Sequence, residues 1–257
     1  MIEPRLYNNS HVKMQGIAYY SDCYNFWDLA HCKSNFEGPA YENLVTQIKK
    51  GCHPLWSGRM LMAVIPLEKY DRAHANYLGA LSKNVRRDAS IAQKRGLYLK
   101  EYDFNDFIPD FVEINHSQLD RNHRKHEKIN PWYLQPGDAY KGMHTSRIHP
   151  WQNEHHYGAW FGVFKYLKHY QQDGKTTNEK LVAYCRVAFD GELAIMTLFW
   201  AHTQFFREGI MFYIVSELVK ELMSYPNIKY MVYYSANQYP GWKQRMLLEP
   251  TYIRAVL

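Results

Sequence analysis

The feature that most constrains the fold is a predicted hairpin, because its two segments have the period of two expected of half-buried strands. In LVAYCRVAF (residues 181–189), alternate positions form one apolar face: Leu181, Ala183, Cys185, Val187 and Phe189. Asp190 and Gly191 supply a two-residue turn, and ELAIMTLFW (192–200) runs back. Residues 156–167 alternate in the same way and are separated from the hairpin by a polar loop at 171–180. The sequence therefore predicts three antiparallel strands.

A helix with one apolar face follows the hairpin. Its apolar positions recur with the helical period: Ile210, Ile214, Leu218 and Leu222 in one row, and Met211, Val215 and Val219 in the next. The opposite face carries Glu217, Lys220 and Glu221, and Pro226 ends the helix. Two further strands are predicted at residues 227–236 and 251–257, with a short helix within 239–249.

Two more strands and two more helices are predicted before the hairpin. The strands lie at 58–67 and 96–106, and the helices at 81–96 and at 105–121, the latter capped by Asn105 or Asp106. This order predicts an α/β chain of the α+β kind, a mixed, mostly antiparallel sheet flanked by helices. The helix after the hairpin is a crossover that can place the strand at 227–236 parallel to the last hairpin strand. Two such strands can splay apart where their pairing ends, and ligands bind at openings of this kind. We divide the chain into an N-terminal extension, 1–96, and a domain at 97–257.

The junction between the last hairpin strand and the helix is a candidate anion site. The first N–H groups of a helix have no internal partner, so Arg207 and Gly209 stand where a phosphate would be bound. Alternatively, Gly209 eases a tight turn and Arg207 is solvated.

A net charge of +6 and an isoelectric point near 8.9 favour an anionic partner, either a nucleic acid or a phosphorylated ligand. The most basic stretch is the helix at 81–96, which carries Lys83, Arg86, Arg87, Lys94 and Arg95 against the single acid Asp88. Two interpretations stay open for it: a solvated helix face, or a surface that binds nucleic-acid phosphates or another anionic acceptor.

No metal site and no membrane segment are expected. Thirteen histidines occur, but none forms an H-E-x-x-H motif, and Cys23, Cys32, Cys52 and Cys185 lack the close pairs of a structural zinc site. No run of about 18 apolar residues is present, and the first residues do not resemble a signal peptide, so we expect a cytoplasmic protein.

Residues 97–257 resemble the GCN5-related N-acetyltransferase (GNAT) family in element order and local pattern. FFREGIMFYIV (205–215) resembles the family's loop and helix that hold the pyrophosphate of acyl-CoA, and WKQRMLLEP (242–250) resembles its closing segment. The resemblance implies transfer of an acyl group, acetyl in the simplest case, from acyl-CoA to an amine. It implies a donor site formed by Phe199, Ala201, Arg207, Glu208, Gly209, Ile210, Met211 and Asn237.

The match departs from the family at several positions. Met211 replaces a second small residue, Phe206 stands where Gln or Arg is common, and Leu247 and Leu248 replace Gly-Phe. Lys243 takes the place of the Tyr that protonates the departing thiolate. Lysine can donate a proton, or it can bind a phosphate or carboxylate.

Other catalytic candidates follow the two central strands. His202 is the leading candidate for the base, or else it caps the strand end through hydrogen bonds. Tyr233 and Tyr234 point to opposite sides, so at most one of them faces substrate, and Tyr239 is the reserve acid if Lys243 points away.

Two alternatives to acyl-CoA chemistry remain. Residues 116–134 (HSQLDRNHRKHEKINPWYL) and the three-strand meander also resemble FemABX-type and phage-encoded GNAT-fold transferases. The FemABX likeness implies aminoacyl transfer from charged tRNA. The phage likeness keeps a DNA base open as the amine acceptor in the acyl-CoA reaction. The other alternative is a non-catalytic GNAT fold that binds DNA or protein.

Overall fold

The computed structural model describes residues 17–20, 60–117, 131–141, 156–172, 175–190, 193–233 and 240–256. Eight strands within these ranges form one sheet. They are β1 (Ile17–Tyr20), β2 (Met60–Pro66), β3 (Leu97–Tyr102), β4 (His156–Gln172), β5 (Lys175–Asp190), β6 (Leu193–Ala201), β7 (Tyr230–Tyr233) and β8 (Glu249–Val256).

The order of the strands across the sheet is β1-β8-β2-β7-β6-β5-β4-β3. The β1–β8 and β6–β7 pairs are parallel and the other neighbours are antiparallel, so the predicted mixed, mostly antiparallel sheet is confirmed. Strand β2 lies between β8 and β7, so this sheet includes residues that precede the expected division at residue 96.

Five α-helices occur in the described part of the chain: α1 (His74–Ala80), α2 (Lys83–Lys94), α3 (Ile108–His116), α4 (Ile210–Met223) and α5 (Pro240–Arg245). The Ser82 side chain caps α2 by accepting a hydrogen bond from Val85 N–H. The predicted cap of α3 is wrong: Asp103, not Asn105 or Asp106, caps a 3-10 turn at Phe104–Phe107, and α3 begins after this turn. No helix among the described residues has the length and apolar character needed to cross a membrane.

Both faces of the sheet are buried, and two of the three hydrophobic clusters among the described residues bear on the site. The α4 face packs against α2 and α4, with Val85, Ala92, Ile214 and Leu218 in its cluster. The α3 face packs against α3 and is rich in aromatic rings: Phe104, Phe111, Tyr140, Trp160, Phe164 and Tyr184. Edge-to-face contacts such as Phe104–Phe111, with centroids 4.9 Å apart, hold this second cluster together.

The predicted apolar face of β5 is wrong at one residue, Leu181. Val163 pairs with Ala183 but Phe164 pairs with Leu181, so Val182 is an extra residue in a β-bulge. The bulge sends Leu181 into the α3-face cluster, whereas Ala183 stays on the α4 face. The Asp110 carboxylate, which is 1% exposed, accepts a hydrogen bond from Leu181 N–H over 2.8 Å and so stabilises the backbone beside this bulge.

The loop expected at 171–180 is also wrong over most of its length. Strand β4 continues to Gln172 and β5 starts at Lys175, which leaves a short connection. The Gln171 amide donates to Thr176 Oγ1 across the pair over 2.7 Å. Because this ribbon pairs polar residues across strands, it lacks the apolar alternation by which strands are predicted.

Helix α2 crosses the start of α4 at Gly209. The backbone of Gly209 is left-handed, with φ of 73°, and a Cβ atom there would lie 2.0 Å from the carbonyl oxygen of Asp88. Only glycine fits both the conformation and this contact, so the glycine at the junction is required by helix packing.

We predict that Gly209→Ala lowers the free energy of unfolding by about 3 kcal/mol or more, because it adds backbone strain and a clash with α2. Urea unfolding followed by circular dichroism measures this change. Gly79→Ala is the control, since nothing lies within 4 Å of a Cβ there and the residue is in a helix. It should raise stability by about 0.5–1 kcal/mol. Equal stability of the two variants would contradict the assigned packing.

Candidate active site

The centre of the candidate site is the place where β6 runs past the last residue of β7, here called the β6–β7 opening. These parallel strands pair from Leu193 with Tyr230 to Met196 with Tyr233, where β7 ends. Strand β6 continues to Ala201, so residues 197–201 lie beyond the pairing with β7 that the structure describes. The predicted splay of the two strands stays a prediction, and α4 begins shortly after the end of β6.

Four partly buried aromatic rings lie at this opening. The Tyr233 centroid is 6.1 Å from that of Phe199 and 6.0 Å from that of Trp242. Trp242 is also stacked on Phe212 of α4, with centroids 6.2 Å apart. These rings, here called the aromatic cluster, all pack against the α4-face core and make the opening a largely apolar environment.

Lys243 is buried beside the aromatic cluster. Lys243 is only 1% exposed to solvent, and its Nζ lies 4.3 Å from the Tyr233 ring centroid. Burial disfavours the charged form and lowers the pKa of Lys243 to about 8, while the face of the tyrosine ring attracts the ammonium. The fold therefore brings together two of the predicted catalytic residues, and one of them can gain or lose a proton near neutral pH.

Helix α5 is held in place from the α1 side. The Tyr77 hydroxyl donates to the Met246 carbonyl over 3.0 Å, and the N–H groups of Met246 and Leu248 both donate to the Lys243 carbonyl. These bonds fix the turn that follows Lys243. The lysine is thus carried by an anchored element and not by a free loop.

His202 lies on the other face of the sheet. Alternation along β6 places Phe199 against the α4-face core, whereas Leu198 and Trp200 pack against the α3-face cluster. His202 lies on the same side of the sheet as Leu198 and Trp200. Its Nε2 is 3.3 Å from Glu113 Oε1 of α3, and its Nδ1 accepts a hydrogen bond from Gln204 N–H. Both ring nitrogens are engaged, as in the strand-end cap, and the structure does not bring His202 to the Lys243 side.

The segment expected to hold the donor is a 3-10 turn, Thr203–Glu208, followed by Gly209. Arg207 is exposed, Ala201 and Ile210 are buried, and Met211 packs partly against the α4-face core. Glu208 places a carboxylate oxygen in a buried position, with no hydrogen-bond partner among the described residues. A carboxylate and the Asp88 carbonyl at this end of α4 both disfavour an anion, whereas Arg207 favours one.

The five basic residues of α2 and its C-cap are all exposed: Lys83, Arg86, Arg87, Lys94 and Arg95. Arg86 also donates to the carbonyls of Leu78 and Gly79, at 3.2 and 2.9 Å, and so caps α1.

Sequence reasoning missed Arg245, which links α5 to the basic helix. Its guanidinium lies 4.5 Å from the Phe212 ring centroid and 4.0 Å from Asp88, whose other contact is Arg87. A basic residue in the last turn of α5 was the available signal, but the neighbours that give it this position are distant in sequence.

Some predicted residues lie outside the described ranges: Tyr234, Asn237 and Tyr239, together with Cys23, Cys32 and Cys52. Cys185 is described, and burial raises the pKa of its thiol well above the ordinary value. Within the part of the chain that the structure describes, no three His, Cys, Asp or Glu side chains are grouped as metal ligands.

Neither a protein-family model nor the sequence of a curated protein matches the chain. Among solved structures, FemX is similar over 75% of this chain and 59% of its own, with 10% identity and a TM-score of 0.50. A tandem GNAT protein from the clavulanic acid biosynthesis pathway is similar over 76% of this chain and 50% of its own, with 12% identity and a TM-score of 0.38. A GCN5-related N-acetyltransferase from Kribbella flavida is similar over 77% of this chain and 56% of its own, with 9% identity and a TM-score of 0.34.

The chain shares its fold with FemX, in agreement with the divergent GNAT fold that the resemblance of its sequence implies. It spans less than two thirds of each of these three structures. At these identities the likeness concerns the fold.

We predict that stability depends on pH through Lys243. Its pKa is about 8 in the folded chain against 10.5 ordinarily, so between these values the unfolded chain binds more protons and stability rises with pH. Below about pH 8 both states are protonated, and the cost of burying the charge is fully present. Lys243→Met should abolish this rise and raise the free energy of unfolding at pH 7 by about 1–3 kcal/mol.

The measurement is urea unfolding of the parent and of Lys243→Met at pH 7 and pH 10. Both proteins contain the same tyrosines, so the difference between their changes in unfolding free energy isolates the contribution of Lys243. Parallel pH profiles would show that Lys243 does not titrate in this window.

Proposed function

We propose that this protein transfers an acyl group from an activated donor, acyl-CoA in the first instance, to an amine. The observation that carries the proposal is Lys243, a buried amine beside Tyr233 at the end of the β6–β7 opening, with a pKa lowered to about 8. A group with a pKa near the working pH is suited to proton transfer in both directions. The GNAT fold supports the reaction class through the family resemblance.

The proposed reaction needs one proton relay. The neutral amine attacks the thioester carbonyl, a C–N bond forms, and collapse of the tetrahedral intermediate breaks the C–S bond. The Lys243 ammonium protonates the departing thiolate, and the resulting neutral lysine accepts the proton that the new amide nitrogen loses. The products are an amide and a free thiol, and Lys243 returns to its starting state. The aromatic cluster keeps water away from this relay.

His202 is not assigned the base role in this proposal. Using it as a base would require breaking its hydrogen bond with Gln204 N–H or its contact with Glu113. Lys243 already lies at the opening, so it serves the proposal without such a rearrangement.

An aminoacyl ester is the second candidate donor. It is favoured by the start of α4, where the Asp88 carbonyl meets Gly209 and Glu208 adds a carboxylate, because both groups weaken the attraction of this segment for a pyrophosphate. The exposed cations of α2 favour a charged tRNA or another anionic partner, and they leave a nucleic-acid acceptor as a sub-hypothesis.

We predict that acetyl-CoA binds with a micromolar dissociation constant in a calorimetric titration, and that Arg207→Glu weakens binding by about tenfold or more by placing a negative charge beside the phosphates. The matched control is Lys220→Glu, which reverses an exposed charge, 61% accessible, near the other end of α4. If neither the parent nor the Lys220→Glu control gives a heat of binding, acyl-CoA is excluded as the donor, and charged tRNA is tested next.

We further predict that nucleic-acid binding depends on the exposed cations of α2. Replacing Lys83, Arg87, Lys94 and Arg95 together by Gln should reduce the slope of log affinity against log salt by about 0.9 for each duplex phosphate that the variant no longer neutralises. Arg86 is left in place because it caps α1.

The control for this experiment removes four exposed lysines elsewhere: Lys69, Lys141, Lys168 and Lys220. An equal change in slope for both variants would show general charge attraction and no α2 interface. Salt-sensitive nucleic-acid binding without donor binding would instead favour the non-catalytic module.

A further inference from the structure

Residues 203–209, here called the donor segment, connect β6 to α4 and carry both Arg207 and Gly209. Helix α3 and its C-cap residue Ser117 hold the start of this segment at two points. Thr203 N–H donates to Ser117 Oγ over 3.1 Å, and His202 Nε2 lies 3.3 Å from Glu113 Oε1. The position of the donor segment therefore depends on side chains from the opposite face of the sheet.

The hydrogen bonds assign the tautomer of neutral His202. Gln204 N–H points at Nδ1 over 3.2 Å, and a backbone N–H can only donate, so Nδ1 carries no proton. Nε2 therefore carries the proton, and Glu113 Oε1 lies 3.3 Å from it. The imidazole is the cap of the 3-10 turn that starts the donor segment. This cap exists only while His202 is neutral, because a protonated Nδ1 cannot accept a hydrogen bond.

Charged groups face the imidazole from two elements. Glu113 of α3 favours the imidazolium form, whereas Lys180 of β5, whose Nζ lies 2.7 Å from each Glu113 carboxylate oxygen, opposes it. Burial is the largest influence and lowers the pKa of His202, with Glu113 acting in the opposite sense. His202 is thus neutral at pH 7 and gains its proton below the ordinary value of 6.5.

We propose that His202 and Glu113 are positioning residues for the donor segment, and that protonation of His202 releases the first turn of this segment. The inference rests on the proposed function, in which the donor segment receives the phosphates of the acyl donor. Protonation leaves Gln204 N–H without its acceptor, while Nε2–H keeps its contact with Glu113. The segment then loses its cap although the ring stays in place, and donor affinity falls as the pH falls.

The primary test is hydrogen exchange of the Gln204 amide, measured by NMR on the whole chain without any donor from pH 7.5 to pH 4.5. Rates are divided by the intrinsic rate at each pH. The protection of Gln204 should fall about fivefold, as expected for the loss of a helix cap, with a midpoint below pH 6.5. The Val85 amide is the internal control, because Ser82 caps it with a group that does not titrate.

Three variants separate positioning from a general structural effect. His202→Asn supplies a capping oxygen that does not titrate, so protection should stay high at every pH. His202→Ala should lack protection at every pH, and Glu113→Gln should move the midpoint to lower pH by removing the charge that favours the imidazolium. A Gln204 protection that is constant with pH in the parent, or that titrates equally in His202→Asn, overturns the proposal.

The donor provides the second measurement. The dissociation constant for acetyl-CoA should rise about fivefold between pH 7.5 and pH 5 in the parent and stay level in His202→Asn. If the affinity for acetyl-CoA has the same pH dependence in the parent and in His202→Asn, the link between the cap and donor binding is overturned. If acetyl-CoA does not bind at all, the proposed donor fails, while the exchange experiment still decides whether His202 releases the segment.

Discussion

The short parallel pairing of β6 with β7 is the constraint on which the candidate site depends. A parallel pair needs a crossover connection, and α4 supplies it. Strand β7 ends at Tyr233 while β6 continues to Ala201, toward the start of α4. The aromatic cluster lies around Tyr233 at this end of β7, and the anchored helix α5 brings Lys243 to it. The rings and the buried amine are therefore grouped around one strand end.

The contact between Gly209 and Asp88 shows how one sequence signal can have two physical origins. In the family resemblance, a glycine at the start of this helix permits close approach of a pyrophosphate. Here its left-handed backbone and its contact with α2 already require glycine. Gly209 is thus explained without a ligand, and the case for acyl transfer depends on Lys243 and its surroundings.

Much of the fold could be predicted from the sequence, because β5, β6 and α4 each have a strong apolar period. The bulge at Val182 and the polar ribbon at 171–180 could not, since they depend on cross-strand pairing that local pattern does not encode. In the site, Lys243 and Tyr233 were predicted separately and the fold brings them together. The cap formed by His202 was one of its two predicted roles, whereas its contact with Glu113 was beyond prediction because Glu113 is far away in sequence.

The central claim is that Lys243 relays the proton in acyl transfer, and turnover tests it most directly. The measurement is the rate of thiol release from acetyl-CoA over a panel of amines, with the parent chain and Lys243→Met compared at equal folded concentration. The account predicts amine-dependent release that falls by about a hundredfold or more in the variant, the usual loss when a general acid is removed. Thiol release equal in both proteins, or none with any amine despite donor binding, would contradict it.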